Sequence, residues 1–209
     1  MAAPLEVFAA IRSDRVVAVV RAERVRDPAG LAAALATAGI RCVEFTFTTS
    51  GAVQAIAAAA GVPESIVGAG TVVNAQQARD AVEAGASFVV SPACIPELGP
   101  ACRELGVPLF LGALTPTEIA AATAAGATAV KLFPAALGGP SYLEHLRGPF
   151  PDVAFVPSGG VDVRNARDYL TAGAVAVYAG SSLVPPKLVE RGEHDEISQR
   201  AHAFVDALS

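Results

Sequence analysis

One short pattern, repeated along the chain, limits what it can fold into: an apolar run, a helical stretch, then a glycine. The first apolar run, Val16-Val17-Ala18-Val19-Val20, is continuous rather than alternating, as expected where a strand is covered on both faces in a parallel sheet. Asp27-Pro28 follows, a capping residue with proline at the first helical position, and the helix it opens runs through Leu31 and Leu35 to Gly39. Gly39, Gly61, Gly85, Gly106 and Gly126 recur at intervals of about 20 to 24 residues, the length of one strand–helix unit. Each is expected to close its helix in the left-handed conformation, just ahead of the next strand.

The pattern predicts strands over 16–20, 42–47, 65–71, 87–91, 108–114, 129–133, 153–156 and 176–179. Helices are predicted up to Gly39 and Gly61, over 74–84, up to Gly106, over 115–125, near 142–146, and over 162–172 and 193–208. Leu5, Val7, Phe8 and Ile11 give an additional N-terminal helix its apolar side. Eight such units read as an α/β chain folded into a (β/α)8 TIM barrel. An open doubly wound sheet is the alternative, but it does not require eight units, and no G-x-G-x-x-G follows the first strand. No linker or compositional break divides residues 1–209, so one barrel domain is expected.

Hydrophobic residues make up 53% of the chain and charged residues 17%, enough for a sizeable core. With a net charge of −5 and no cluster of Lys or Arg, neither nucleic acid nor a membrane is an expected partner. The start lacks the basic and apolar regions of a signal peptide, and three cysteines (Cys42, Cys94, Cys102) suit a reducing compartment, so a cytoplasmic protein is expected. Cys94, just past the fourth strand, reads more simply as a packed or exposed thiol than as a site residue. His145, His194 and His202 all fall away from strand ends and no cluster has metal-ligand spacing, so neither metal nor cofactor is expected.

In a barrel the active site lies at the carboxyl ends of the strands. Lys131 stands there inside the apolar run Ala129-Val130-Lys131-Leu132-Phe133-Pro134, with no other charge within ten residues on either side. Burial disfavours its ammonium form, and a neutral amine can attack a carbonyl to form a Schiff base; the alternative is a strand-end lysine reaching solvent. Glu44 is the corresponding carboxylate within a strand, and alternation places it with Thr46 and Thr48 on the lumen side, leaving Phe45 and Phe47 to face helices. It reads as a general base or as a structural ion pair with Lys131. The last two strands end in Ser158-Gly159-Gly160 and Gly180-Ser181-Ser182, where glycines let backbone N–H groups approach a phosphate and a helix near Asp162 is expected to add its positive end.

These residues carry a resemblance. Val43-Glu44-x-Thr46, Ile66-Val67-Gly68-Ala69-Gly70-Thr71, Ser91-Pro92, Lys131-Leu132-Phe133-Pro134, Gly148-Pro149-Phe150, Pro157-Ser158-Gly159-Gly160-Val161 and Gly180-Ser181-x-Leu183-Val184 together resemble the class I 2-keto-3-deoxy-6-phosphogluconate (KDPG) and 4-hydroxy-2-oxoglutarate (KHG) aldolases. The resemblance implies that Lys131 is the Schiff-base lysine and Glu44 the general acid/base. Thr71, Pro92 and Phe133 would line a pyruvate pocket, and Ser158, Gly159, Gly160, Gly180 and Ser181 would hold the substrate phosphate. It also implies a phosphorylated 2-keto-3-deoxy sugar acid and pyruvate as small-molecule partners, and a homotrimer. Some members carry a carboxylate-binding arginine where this chain has Thr48; others carry one after the first strand, which corresponds to Arg21. Arg21 is therefore expected to take the carboxylate, with Thr48 beside it. Ser158 keeps the hydroxyl of a usual threonine, and Leu111 replaces a common proline, a change expected to alter the mouth of the site. The competing readings are an aldolase for KHG or a 6-phosphogalactonate relative, a barrel isomerase or synthase that uses no imine, and a non-catalytic sugar-phosphate-binding barrel.

Overall fold

The computed structural model describes residues 4–208. Its eight strands are β1 (Val16–Val20), β2 (Cys42–Thr46), β3 (Ile66–Gly70), β4 (Phe88–Val90), β5 (Leu109–Ala113), β6 (Ala129–Leu132), β7 (Phe155–Pro157) and β8 (Val177–Ala179). They pair in parallel in the order β7-β6-β5-β4-β3-β2-β1-β8. A parallel bridge between Ser158 and Tyr178 draws the two ends together, and the chain is a nearly closed (β/α)8 barrel. The helices are α1 (Pro4–Asp14), α2 (Pro28–Thr37), α3 (Ala52–Ala59), α4 (Ala75–Glu83), α5 (Leu98–Leu105), α6 (Pro116–Ala124), α7 (Gly139–Arg147), α8 (Ala166–Thr171), α9 (Pro186–Arg191) and α10 (His194–Leu208). Several start where the sequence marks them. Asp27 accepts from the Gly30 N–H at 2.9 Å, Asn74 from Gln77 at 2.9 Å, and Thr115 forms a capping box with Glu118. Each such cap contributes about 1 kcal/mol.

Strand alternation sorts the apolar residues into two layers. In β1, Val16, Ala18 and Val20 join the layer between strands and helices, while Val17 and Val19 face the lumen. The lumen is packed at its amino-terminal end by Phe88 and Phe110 together with Val7 and Ile11 of α1, so the additional helix stops that mouth. Polar groups can then gather only at the carboxyl end of the barrel, where Glu44, Thr46, Lys131 and Ser158 are all buried.

Several expectations need correction. Leu5 is 82% exposed; Val7 and Ile11 are the buried face of α1. Gly39, Gly85, Gly106 and Gly126 have positive φ, but Gly61 does not, and the left-handed residue ahead of β3 is Glu64 (φ 65). Between β8 and α10 the chain forms α9, a helix absent from the predicted set and opened by Pro186. The seventh strand begins at Phe155, not at 153. The helix after β7, α8, starts at Ala166 rather than near Asp162, because the Asp162 carboxylate accepts from the Arg164 N–H (2.8 Å) and holds a turn there.

Candidate active site

Glu44 of β2 and Lys131 of β6 meet across the lumen. Glu44 is 0% and Lys131 4% exposed, and Lys131 Nζ lies 3.9 Å from Glu44 Oε1. That separation is an ion-pair distance too long for a direct hydrogen bond, and neither Glu44 oxygen has a hydrogen-bond partner among the described residues. Burial acts on both partners toward neutrality. It raises the Glu44 carboxyl above its usual range, against the opposing pull of Lys131 and Arg21. It lowers the Lys131 ammonium, which Glu44 opposes and Arg21 assists. A lysine held toward its free amine, with a carboxyl 3.9 Å away, can attack a carbonyl and have a proton moved beside it.

The room for Glu44 comes from the neighbouring strand. A Cβ on Gly70 would stand 1.7 Å from Glu44 Oε1, so β3 must pass the carboxylate without a side chain. Replacing Gly70 with alanine is expected to push Glu44 off Lys131, lower stability by about 1–3 kcal/mol through overpacking and reduce turnover. Thermal melting and activity assays check this, and a variant with native stability and turnover would show that the carboxylate does not need this place.

Arg21, just past β1, donates through Nη1 to the Thr48 hydroxyl (2.7 Å) and through Nη2 to the Thr71 hydroxyl (3.1 Å). Thr48 is in turn bonded to buried Thr46 at 3.0 Å, and Thr46 donates to the Val20 carbonyl at 3.1 Å. The guanidinium is thus braced by three threonines while remaining exposed. Thr71 adopts a φ of 56°, a costly conformation for a β-branched residue and one typical of functional sites.

A cavity of about 490 Å³ opens at this end of the barrel. Arg21, Thr71, Pro92, Phe133, Ser158, Gly159, Gly160, Gly180 and Ser181 line it with Lys131 among them, and the Phe133 ring lies beside Gly159. Glu44 and Thr48 do not line it: the first sits buried beside Lys131 and the second braces Arg21. In the glycine loops, Gly159 (φ 83) and Gly160 (φ 86) adopt conformations that suit glycine, and a Cβ on Gly160 would stand 2.5 Å from that of Ala136. The two loops are tied together by Ser182, which donates to the Val161 carbonyl at 2.8 Å. With α8 starting only at Ala166, the helix-end contribution expected near Asp162 is not in place.

Sequence reasoning missed Tyr178 and Val19, which also line the cavity, as do Asp162 and Ser182 of the two loops. Tyr178 was open to discovery, since alternation along β8 puts it on the same face as Gly180. Leu111 does not shape the mouth; it is buried in the layer between strands and helices. Cys94 packs half-buried against that layer, and no group of three His, Cys, Asp or Glu residues among the described residues could hold a metal ion.

The chain is similar to known proteins along nearly its whole length. The family model for KDPG and KHG aldolase matches residues 7–200. The chain is 40% identical over 196 residues to the 2-dehydro-3-deoxy-phosphogluconate aldolase of Treponema pallidum, covering 93% of each. It is 41% identical over 193 residues to the KHG/KDPG aldolase of Escherichia coli strain K12, covering 91% of each. A solved KDPG aldolase from Legionella pneumophila, with pyruvate captured as a covalent carbinolamine intermediate, superposes with a TM-score of 0.87 at 33% identity, over 97% of this chain and 98% of that one. With the barrel, the buried Lys131–Glu44 pair and a match along nearly its whole length, this chain belongs to the KDPG and KHG aldolase family.

Proposed function

We propose that this aldolase cleaves 2-keto-3-deoxy-6-phosphogluconate to pyruvate and glyceraldehyde 3-phosphate through a Schiff base on Lys131. The observation that carries the reading is the desolvated Lys131 amine 3.9 Å from a fully buried carboxyl, beside a cavity lined by Arg21 and the glycine loops. The T. pallidum relative bears the name of this activity, and the L. pneumophila structure holds pyruvate covalently.

The amine adds to the C2 ketone, and the carbinolamine takes up a proton and loses water to give a protonated imine. The imine draws the C3–C4 bonding pair toward nitrogen as the C4 hydroxyl proton passes to the Glu44 carboxylate, directly or through one water. That step releases the aldehyde and leaves an enamine. Return of a proton to C3 and hydrolysis of the imine then release pyruvate and restore the amine. Arg21, with Thr71, holds the carboxylate of the pyruvyl half, Pro92 and Phe133 wall it, and Ser158, Gly159, Gly160, Gly180 and Ser181 receive the phosphate, so that both ends fix the reacting carbons. The reaction asks for no cofactor. The proposal extends to a single-domain cytoplasmic homotrimer; Cys42, Cys94 and Cys102 are free thiols, and no helix among the described residues is long and apolar enough to cross a membrane.

The test is incubation with pyruvate, reduction with borohydride and mapping of the adduct. A stable adduct on Lys131, and turnover undiminished by a strong chelator, are expected; no adduct under any condition overturns the reading. Comparing cleavage of KDPG with that of 4-hydroxy-2-oxoglutarate and the galactonate-derived substrate decides among the family's activities. Replacing Arg21 with alanine removes a charged hydrogen-bond donor worth about 1.5–3 kcal/mol and is expected to weaken pyruvate binding about 10- to 100-fold. Binding of glyceraldehyde 3-phosphate should change little. Unaltered pyruvate affinity would place the carboxylate elsewhere.

A further inference from the structure

Lys131 Nζ lies near two aromatic rings, 5.6 Å from the Phe133 centroid and 5.3 Å from that of Tyr178. They are not equivalent, since Phe133 is 37% exposed and Tyr178 1%. A ring attracts a cation through its quadrupole, and the attraction is greatest where water is excluded. Strand β8 turns Tyr178 into the lumen, where its ring packs on Phe110 at 6.0 Å. Phe110 rests in turn on Phe88 at 6.0 Å and on Phe8 of α1 at 6.1 Å, so the tyrosine is held from below.

We propose that Tyr178 is a positioning residue acting through Lys131, its desolvated ring stabilising the positive charge on that nitrogen, first as ammonium and then as protonated imine. The proposal rests on the imine chemistry put forward above: amine, ketone and one proton give protonated imine and water, and the charge arrives on the nitrogen beside the ring. The titratable and charged groups around Nζ are Glu44 of β2, Arg21 after β1 and Tyr178 itself, with Cys42 two residues below Glu44. Arg21 repels the cation, and the Glu44 carboxyl, raised by burial, offers no direct hydrogen bond at 3.9 Å. Burial keeps the Cys42 thiol and the Tyr178 phenol protonated. The ring favours the cation whichever way these groups titrate.

The signature is a dependence on pH. Below the Lys131 midpoint the free enzyme and the imine are both cationic at that nitrogen, and the ring's contribution to pyruvate binding cancels. Above the midpoint only the imine is cationic, and the contribution appears in full. Tyr178→Phe keeps the ring, whereas Tyr178→Met and Tyr178→Leu remove it; the probe is pyruvate and the readout the borohydride-trapped Lys131 adduct. The phenylalanine variant is expected to follow the native protein. The aliphatic variants are expected to bind pyruvate about ten-fold more weakly above the midpoint but equally well below it, with the trapping midpoint about one pH unit lower.

Unchanged profiles, or affinity lost equally at every pH, overturn the proposal, as does a phenylalanine variant that behaves like the aliphatic ones. If neither aliphatic variant folds, trifluorinated phenylalanine at 178, of nearly the same shape but a weaker negative face, is compared with Tyr178→Phe; the same pH-dependent loss is expected and equal behaviour overturns it. A native protein that gives no adduct defeats the aldolase reading alone. The ring is then tested by acylation of Lys131 with acetic anhydride across pH, where a midpoint about one unit lower in Tyr178→Met supports it and an unmoved midpoint overturns it.

Discussion

Replacing Lys131 with methionine is expected to abolish cleavage while leaving the barrel as stable as before, or more so. The amine is the nucleophile of the proposed cycle, and no other amine among the described residues lines the cavity. Its loss should cost at least about 10⁴-fold in turnover, at or beyond the upper end of what a proton-transfer group contributes. The stability half follows from burial. Lys131 is 4% exposed and its ammonium is penalised by desolvation before Glu44 offsets any of that cost. Methionine fills a similar length without the penalty, and the cost of about 3–5 kcal/mol that follows when one partner of a buried pair is removed applies only where the other is left charged. Glu44, already pushed toward its protonated form by its surroundings, is not left as a bare buried anion. Activity assay, adduct mapping and thermal melting on the same preparation decide the matter. Residual cleavage above about 1% of native would sink the nucleophile assignment, and a large fall in melting temperature would mean that the pair is structural.

The sequence told most where a single physical constraint acts on a single residue. β1 is delimited by its own hydrophobicity, and its predicted bounds are those observed. Alternation in β2 correctly sent Glu44 and Thr46 inward and Phe45 outward, because a buried barrel leaves a strand only two faces. Asn74 and Thr115 announced their helices because a cap is a local interaction between residues three apart. What the sequence concealed depends on residues far apart in the chain. The spacing of Lys131 from Glu44, 3.9 Å, is set by the barrel's cross-section, and no local pattern encodes it. Arg21 was inferred to bind a carboxylate, but its brace of Thr48 and Thr71 joins three strand ends. Tyr178 was passed over because only the residues after β8 were considered, although its alternating neighbours pointed to it. The error at Asp162 is of another kind: an N-cap residue also caps turns, and composition does not separate the two uses.

Glu44→Gln separates proton transfer from imine formation. Glutamine keeps the shape that Gly70 accommodates, so a lost role in catalysis is not confused with a lost fit. Pyruvate should still be trapped on Lys131, whereas cleavage should fall by about 10²–10⁴-fold, the range for a positioned general acid or base. In the native enzyme, activity should decline as pH falls through the raised Glu44 value, because the base is needed as carboxylate. It should decline also as Lys131, lowered from 10.5, becomes ammonium. Glu44 raises the Lys131 value, so in the glutamine variant the acid limb of imine formation should move to lower pH. Stability has its own sign. A carboxyl whose folded value lies above 4.5 contributes stability that is fully present below 4.5 and is lost as pH rises through the raised value. The glutamine variant lacks that loss, so its melting temperature should gain on the native protein's as pH increases over that window. The Lys131 contribution runs the other way, being present above 10.5 and lost as pH falls through its lowered value, and in the glutamine variant, where Glu44 no longer raises that value, the loss continues to lower pH. Cleavage within a few-fold of native would mean that the buried carboxyl is not the proton carrier, and parallel melting curves across pH would mean that it is not the desolvated group that its place beside Lys131 makes it.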